Sequence, residues 1–245
     1  MYTIVMATQK GGSGKTTLAI GLALAATEAG HTVRLVETDS QGTLSNWQRR
    51  RAGSEPMVET IHVADKIEQR LQSLSESGVT LTIIDTAGGL AAATTAAIRY
   101  SDLCLIPARP SIADIEATAS TVQTARAWNT PFAFVLNQTP IRGQRLTGAT
   151  TALGDAASIA DVVAQPFVVM RNDHQDALSA GLAVSEYAPF GKSADEIRGL
   201  WQWAAAKLGE HATADEPEVA DETLEAASAM FMRTPAATIA VAPAA

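Results

Sequence analysis

Short apolar runs alternate with longer segments of helical spacing over residues 1–209 of the chain. The apolar runs have the length of β-strands, and their near-continuous hydrophobicity is typical of strands buried on both faces of a parallel sheet. The alternation predicts an α/β fold with a doubly wound, mostly parallel sheet and helices on both faces. The predicted strands are Tyr2–Ala7, Thr32–Glu37, Val58–Val63, Leu81–Asp85, Leu103–Pro107, Phe132–Asn137 and Phe167–Met170.

Helices are predicted between these strands. Two of the segments end directly before a glycine, which readily adopts the left-handed backbone found at helix C-termini. At the start of the last segment, Ser193 and Glu196 have the spacing of a capping box. The clearest predicted helices are Lys15–Ala29, Asp65–Ser77, Ile112–Trp128 and Ser193–Leu208.

The composition shifts after Gly209 to alanine, acidic residues, threonine and proline. This shift predicts a folded domain over residues 1–209 and a disordered tail over residues 210–245, in which Asp221–Arg233 has the pattern of a short helix. The whole chain has 18 basic and 26 acidic residues, of which residues 1–210 hold 17 and 20. The nearly balanced domain can therefore carry a local basic patch, although the net charge of the chain is −8.

A glycine-rich segment joins the first strand to the first helix. Glycines let the backbone fold tightly enough for several N–H groups and a helix N-terminus to face one phosphate. Lys15 is then expected beside the β- and γ-phosphates, and the Thr16 hydroxyl is placed to ligate Mg²⁺. The alternative is a glycine-rich turn that binds nothing. The predicted nucleotide-binding residues of this segment are Lys10, Gly11, Gly12, Ser13, Gly14, Lys15, Thr16 and Thr17.

Lys10 is unusual in this segment. The common pattern G-x-x-x-x-G-K-[ST] asks for glycine at the position of Gln9 and places no demand on the next one. A second ammonium is poorly used on a phosphate that Lys15 already serves, because like charges repel. The segment resembles the K-G-G-x-G-K-[ST]-T mark of the ParA/MinD family of deviant P-loop ATPases. The resemblance implies an ATP-dependent homodimer in which Lys10 reaches the ATP of the partner subunit, as an arginine finger does.

A Walker B pattern follows the strand Leu81–Asp85. The strand ends in a carboxylate, and Gly88 and Gly89 come shortly afterwards. A carboxylate at this place holds Mg²⁺ directly or through water, and the glycines bring backbone N–H groups towards the γ-phosphate. An apolar run that ends in aspartate is common, but in an α/β chain with an upstream phosphate loop it indicates a magnesium ligand, Asp85.

Residues 37–41 partly match the D-x-D-P-Q motif of the same family. Asp39 matches, whereas Glu37 and Ser40 stand where the family usually has aspartate and proline. The resemblance implies that Asp39 positions the attacking water near Mg²⁺. The alternative is that Asp39 is the N-cap of a helix beginning near Thr43. The change to Ser40 is expected to loosen this loop.

Asn137 and the segment Ile106–Asp114 lie after later strands. The resemblance implies that Asn137 contacts adenine, while its chemistry alone also fits a turn former. The segment Ile106–Asp114 resembles the family's P-x-x-P-S-x-x-D loop, which implies a dimer and partner-sensing surface without a catalytic role.

The resemblance implies a slow, Mg²⁺-dependent ATPase. Lys15, the loop amides and Mg²⁺ would neutralise the transferred phosphoryl group, with Lys10 supplied by the partner subunit and Asp39 on the water. The ATP-bound dimer would bind DNA without sequence preference and release it after hydrolysis, to partition plasmid or chromosomal DNA or to position a cargo. A ParB-like partner protein would stimulate hydrolysis. The residues that resemble the family's DNA-contacting region are Arg171, Lys192 and Arg198, with Arg142 and Arg145 as further candidates, and each has a solvated surface charge as its alternative.

Other functions fit the sequence less well. A MinD-like regulator that cycles on a membrane is the alternative function, but it needs a basic amphipathic C-terminal helix and the tail is acidic, so no membrane partner is expected. Cys104 is the only cysteine, which excludes a bridging iron-sulfur cluster because such a cluster needs at least two cysteines per subunit. The N-terminal segment lacks the features of a signal peptide, so we expect a cytoplasmic protein. The DNA binding that the resemblance implies would make it nucleoid-associated.

Overall fold

A six-stranded sheet forms the centre of the protein in the computed structural model. The structure describes residues 1–141 and 162–213, except for the side chains of residues 210–213. The strand order within these residues is β3-β2-β4-β1-β5-β6, and every neighbouring pair is parallel. The strands are β1 (Tyr2–Met6), β2 (Val33–Glu37), β3 (Met57–Thr60), β4 (Leu81–Asp85), β5 (Leu103–Ala108) and β6 (Phe132–Leu136). The doubly wound, parallel α/β fold expected from the sequence is confirmed.

Helices cover both faces of the sheet, because successive strand residues point to opposite sides. Ile4 and Met6 of β1 belong to one core cluster, which contains residues of the first and last helices, and Val5 belongs to the other. Cys104 is fully buried in this second cluster, where its side chain packs as part of the core. The described helices are α1 (Lys15–Glu28), α2 (Thr43–Arg50), α3 (Ile67–Glu76), α4 (Ala92–Arg99), α5 (Ile112–Glu116), α6 (Ala119–Ala127), α7 (Asp173–Ser179), α8 (Val184–Tyr187) and α9 (Lys192–Thr213), and a 3-10 turn at Ala64–Lys66 precedes α3.

The strand predicted at Phe167–Met170 is wrong. In this segment Val169 makes an isolated parallel bridge to Thr139 rather than a ladder. The backbone explains the difference, because Gln138 has a φ of 54° and turns the chain immediately after β6. The chain beside Phe167–Met170 therefore does not continue as a strand with which a ladder could form.

The single helix predicted over Ile112–Trp128 is also wrong, because the structure divides it into α5 and α6. Thr118, which is buried, lies in the break. Its hydroxyl donates to the carbonyl of Ile115 at 2.6 Å. Threonine hydroxyls compete in this way with the regular backbone bonds of a helix.

The capping box predicted at the start of the last helix does not form. Helix α9 begins at Lys192, the Ser193 hydroxyl donates to Asp173 at 2.7 Å, and the Glu196 carboxylate accepts the backbone N–H of Val169 at 2.9 Å. Ser193 therefore holds the start of α7, and Glu196 holds the segment before it, instead of capping their own helix.

The last helix runs through Gly209 to Thr213, four residues beyond the predicted domain boundary. The predicted helix at Asp221–Arg233, like Arg142 and Arg145, lies outside the described residues. Among the residues that the structure covers, no helix is long and apolar enough to cross a membrane.

Candidate nucleotide and magnesium site

The phosphate loop lies between β1 and α1, at the carboxyl edge of the sheet. Gly12 and Gly14 have φ angles of 74° and 92°, in the left-handed region that favours glycine. Gly14 is the N-cap of α1, and no side chain of the described residues caps this helix. Its first-turn N–H groups can therefore bind an anion, as a phosphate loop requires.

Asn137 packs directly against this loop. Its side-chain amide donates to the Ser13 carbonyl at 2.8 Å, and its side-chain carbonyl accepts the Gln138 N–H at 2.9 Å. A Cβ atom on Gly14 would lie 2.2 Å from the Asn137 amide nitrogen. Gln138 adds a bond from its side chain to the Gly12 carbonyl at 3.0 Å. Asn137 thus supports the phosphate loop, and its contact with adenine stays a prediction.

Lys15 is held inside its own loop. The side chain is buried, and its ammonium donates to the Lys10 carbonyl at 3.5 Å. Burial lowers the pKa of the Lys15 ammonium, while the carboxylates of Asp85 and Asp39 oppose this effect. A bound phosphate would add further negative charge beside the buried ammonium.

Thr16 and Asp85 meet where magnesium is expected. The Thr16 hydroxyl donates to Asp85 Oδ2 at 2.7 Å, and Asp85 is 1% exposed. Burial raises the pKa of the Asp85 carboxyl to about 7, although the Thr16 hydroxyl and the Lys15 ammonium favour the charged form.

The same pair fits a magnesium ion. Asp85 Oδ1 is buried and has no hydrogen-bond partner among the described residues, and the Thr16 hydroxyl oxygen keeps lone pairs while it donates its proton. Oxygen atoms of this kind, with phosphate oxygens and water, are the ligands that Mg²⁺ prefers. Bound Mg²⁺ would neutralise charge on the transferred phosphoryl group.

Asp39 lies in a turn beside these groups. Its Oδ1 accepts the Gln41 N–H at 2.9 Å, and its carbonyl accepts the Gly42 N–H at 3.2 Å. Asp39 interacts electrostatically with both Lys15 and Asp85. It does not cap α2, whose N-cap is Gly42. Its location is compatible with positioning a water molecule near Mg²⁺, and that role stays a prediction.

Glu37 holds the start of α2 in place of Asp39, a role that the sequence interpretation missed. The fully buried carboxylate accepts the Leu44 N–H at 2.7 Å and the Ser45 N–H at 3.1 Å. The Ser45 hydroxyl also donates to it. The sequence signal for this role was an acidic residue shortly before a helix that has glycine, rather than a side-chain cap, at its N-cap position.

Lys10 points away from the phosphate loop. Its ammonium lies 3.5 Å from Asp114 Oδ2, and the Lys10 side chain is 37% exposed. Asp114 also accepts bonds from Arg109 at 2.9 Å and from the Ser111 hydroxyl at 2.5 Å. Burial alone would raise the pKa of Asp114, but Ser111, Arg109 and Lys10 together lower it. The Ser-x-x-Asp spacing of a helix cap was the signal for this cluster.

The described candidates for DNA contact differ in their surroundings. Arg171 pairs with Glu196 at 2.6 Å, and Arg198 pairs with Glu28 at 2.8 Å. Lys192 is exposed at the start of α9. Lys192 makes no ion pair with the described residues and is therefore the most available of the three cations.

Residues 4–181 match the family described as the CobQ/CobB/MinD/ParA nucleotide binding domain. The chain belongs to this family. It is 28% identical over 210 residues to the maintenance of carboxysome distribution protein A of Halothiobacillus neapolitanus, and the match covers 81% of this chain and 94% of that relative.

Solved structures of the family have the same fold. The ATP complex of a Cyanothece McdA variant has a TM-score of 0.69 at 18% identity and covers 90% of this chain and 99% of its own. The Mg-ADP complex of the septum site-determining protein MinD from Pyrococcus horikoshii has a TM-score of 0.68 at 18% identity, with 87% and 99% covered. The protein is thus an ATPase of the ParA/MinD family that uses ATP with Mg²⁺, which confirms the resemblance in the sequence.

Proposed function

We propose that this ATPase is a slow, dimerising switch that positions a cargo on DNA. ATP joins two protomers, the dimer binds DNA without sequence preference, and hydrolysis releases it. A cargo-bound partner protein stimulates hydrolysis and so couples release to the position of the cargo. The relative in Halothiobacillus neapolitanus, whose name refers to carboxysome distribution, supports a protein compartment as cargo. The alternative cargo is plasmid or chromosomal DNA.

The separate locations of two lysines carry this proposal. Lys15 is buried in its own phosphate loop, whereas the Lys10 ammonium pairs with Asp114 outside it. Lys10 is the more exposed of the two, and the Asp114 ion pair is partly solvated, so little free energy opposes its transfer to another acceptor. An ATP phosphate of a second protomer is such an acceptor.

Lysine substitutions test the trans contact. Lys15→Ala should abolish ATP binding, because it removes the cation beside the phosphates. Lys10→Ala should leave ATP affinity within about threefold, since the Lys10 side chain does not line the site of its own subunit. It should lower turnover by at least about 10³-fold, as the loss of an arginine finger does. Fluorescent-nucleotide titration and phosphate release measure the two effects, with exposed Lys66→Ala as the control. Wild-type turnover in Lys10→Ala would refute the trans role.

DNA retention tests the rest of the cycle. Full-length protein is passed over immobilised DNA with ATP or ADP, at low and moderate salt, and in parallel over anionic liposomes. Retention on DNA that needs ATP and falls steeply with salt is expected, because binding would rest on phosphate contacts. Liposome binding without DNA retention would favour a membrane-cycling regulator instead.

A further inference from the structure

The Asp39 turn is closed at both ends by bonds to buried groups. At its start, the Thr38 N–H donates to the Asp85 carbonyl at 2.9 Å. At its end, the Glu37 carboxylate accepts the N–H groups of Leu44 and Ser45. Residues 38–42 therefore form a loop between β2 and α2 whose two ends are held by the bonds of Thr38 and Glu37.

The length of Glu37 matters in this arrangement. Its carboxylate spans from the end of β2 to the first turn of α2. Aspartate, which the family usually has at this position, is one methylene shorter, so the same backbone would leave the two N–H groups without this acceptor. A buried helix terminus without an acceptor is unfavourable. The bonds of Glu37 are thus specific to the longer acid.

Ser40 departs from the family motif in the same loop. The bond from the Gly42 N–H to the Asp39 carbonyl closes a turn in which Ser40 is the second residue. Proline is favoured at this place because its ring fixes φ near the value that the turn requires. Serine lacks this restriction, so a turn with Ser40 needs another constraint to hold Asp39.

We propose that Glu37 is a positioning residue for ATP hydrolysis: its bonds to α2 hold the Asp39 turn and replace the rigidity that proline gives the usual D-x-D-P-Q motif. The two departures from the motif, Glu37 and Ser40, are then one compensating pair. The proposal rests on the proposed role of Asp39 in orienting the attacking water. Glu37 acts through Asp39 and does not touch the nucleotide.

Restoring the family pair tests the compensation. Glu37→Asp should lower kcat about tenfold or more, because misplacement of a catalytic group by about 1 Å can cost up to about a hundredfold. ATP affinity should stay within twofold, since the phosphate loop is unchanged. Ser40→Pro alone should keep wild-type turnover, and Ser40→Pro in the Glu37→Asp background should restore kcat to within about threefold. Undiminished kcat in Glu37→Asp, or no recovery in the double variant, overturns the proposal.

Two further measurements separate positioning from general destabilisation. Hydrogen exchange at the Leu44 and Ser45 amides should accelerate in Glu37→Asp without nucleotide; unchanged exchange overturns the proposal. Glu59→Gln, which loses ion pairs to Arg34 and Arg70 at the sheet edge, is the matched control and should keep wild-type kcat. If Glu37→Asp fails to fold, Ser45→Ala removes only the hydroxyl bond and should lower kcat by a smaller factor; unaltered kcat then overturns the proposal.

Asp39→Ala distinguishes this proposal from the proposed function. If Asp39→Ala is inactive while Glu37→Asp keeps full kcat, the role of Asp39 stands and positioning by Glu37 fails. If Asp39→Ala turns over normally, the catalytic role of Asp39 fails, and the positioning proposal fails with it. The trans role of Lys10 is measured separately and is unaffected by either result.

Discussion

At the scale of single residues, close approach and backbone conformation decide which glycines of the phosphate loop are required. Gly14 combines a φ of 92° with a Cβ position 2.2 Å from the Asn137 amide nitrogen. Gly12 has a φ of 74° but open space around its Cβ position, and Gly11 has neither constraint. The three positions therefore form a graded series within one loop.

Alanine substitutions should reproduce this gradient in the nucleotide-free protein. Gly11→Ala should be nearly neutral, and Gly12→Ala should cost about 1–2 kcal/mol, the price of left-handed backbone for a residue with a Cβ. Gly14→Ala should cost more and lower Tm by at least roughly 4 °C. Adding Asn137→Ala to Gly14→Ala should make the double variant more stable than the sum of the single effects predicts. Simple additivity in thermal unfolding would contradict the contact.

Asp85 should make stability depend on pH. Its pKa is raised from 3.8 to about 7 in the folded protein, so between these values the folded state binds a proton that the unfolded state has released. Stability should therefore fall as pH rises from 4 to 7 and level off above. Thermal unfolding in EDTA, from pH 5 to 8, measures this, and Asp85→Asn should lose this part of the slope. An identical slope in Asp85→Asn would show that the proton is not on Asp85.

The sequence identified candidate site residues where a local motif marks them. Lys15, Thr16 and Asp85 were recognisable because the phosphate loop and the end of a buried strand have their own patterns, and parallel strands bring both to one edge. For Glu37 and the Lys10–Asp114 pair the sequence offered only an acid shortly before a helix and a Ser-x-x-Asp spacing, whereas each contact also depends on the distance between segments after folding. Local spacing gives no measure of that distance.

At the scale of elements, α2 connects the Asp39 turn to the C-terminal part of the domain. The Trp47 indole N–H donates to the Leu182 carbonyl at 3.1 Å, and Arg51 makes two bonds of 2.6 Å to the Glu186 carboxylate. The Arg51 guanidinium also stacks on Trp47, 5.2 Å from the ring centroid. Helix α2 is therefore anchored at both ends, by Glu37 at its start and by these contacts at its end.

A double-mutant cycle on Arg51 and Glu186 measures the second anchor. Arg51 binds Glu186 through both of its terminal guanidinium nitrogens, and the Arg51 side chain is only 9% exposed. A coupling free energy of about 1–2 kcal/mol is therefore expected, above the usual value for an exposed pair. Each single alanine variant should lower stability in urea unfolding, and the double variant should lose less than their sum. A coupling near zero would mean that the stacking on Trp47 holds Arg51 without Glu186.

The predicted helices and strands match the structure where apolar character and periodicity indicated the same element. The strands around β1 were predicted almost to the residue, because continuous apolar runs in a parallel sheet leave little ambiguity. Phe167–Met170 has the same apolar character, yet it forms no strand, since strand pairing also depends on the path of the neighbouring chain. The break between α5 and α6 came from the hydroxyl of Thr118, which helical periodicity does not detect.

At the scale of the whole molecule, the distribution of charge matters for the proposed binding of DNA. Replacing the six acidic residues after residue 210 by neutral ones should change the net charge from −8 to −2 without altering the sequence of residues 1–210. The field of an acidic segment opposes the approach of DNA over roughly a Debye length, about 10 Å at 0.1 M salt and 30 Å at 0.01 M. The six acidic residues concerned are Asp215, Glu216, Glu218, Asp221, Glu222 and Glu225.

Replacing these six residues by Asn or Gln should therefore strengthen DNA retention in the ATP state, by roughly three- to tenfold at low salt. The gain should shrink at moderate salt, because screening removes the field of the tail. Lys192→Ala should act in the opposite direction and lower the dependence of log K on log salt by about one unit, as expected for one lost phosphate contact. The ADP state, which is not expected to bind DNA, is the control for both variants. Equal retention of the neutralised and native chains at low salt would show that the tail charge does not oppose DNA binding. An unchanged salt dependence in Lys192→Ala would show that Lys192 does not contact DNA.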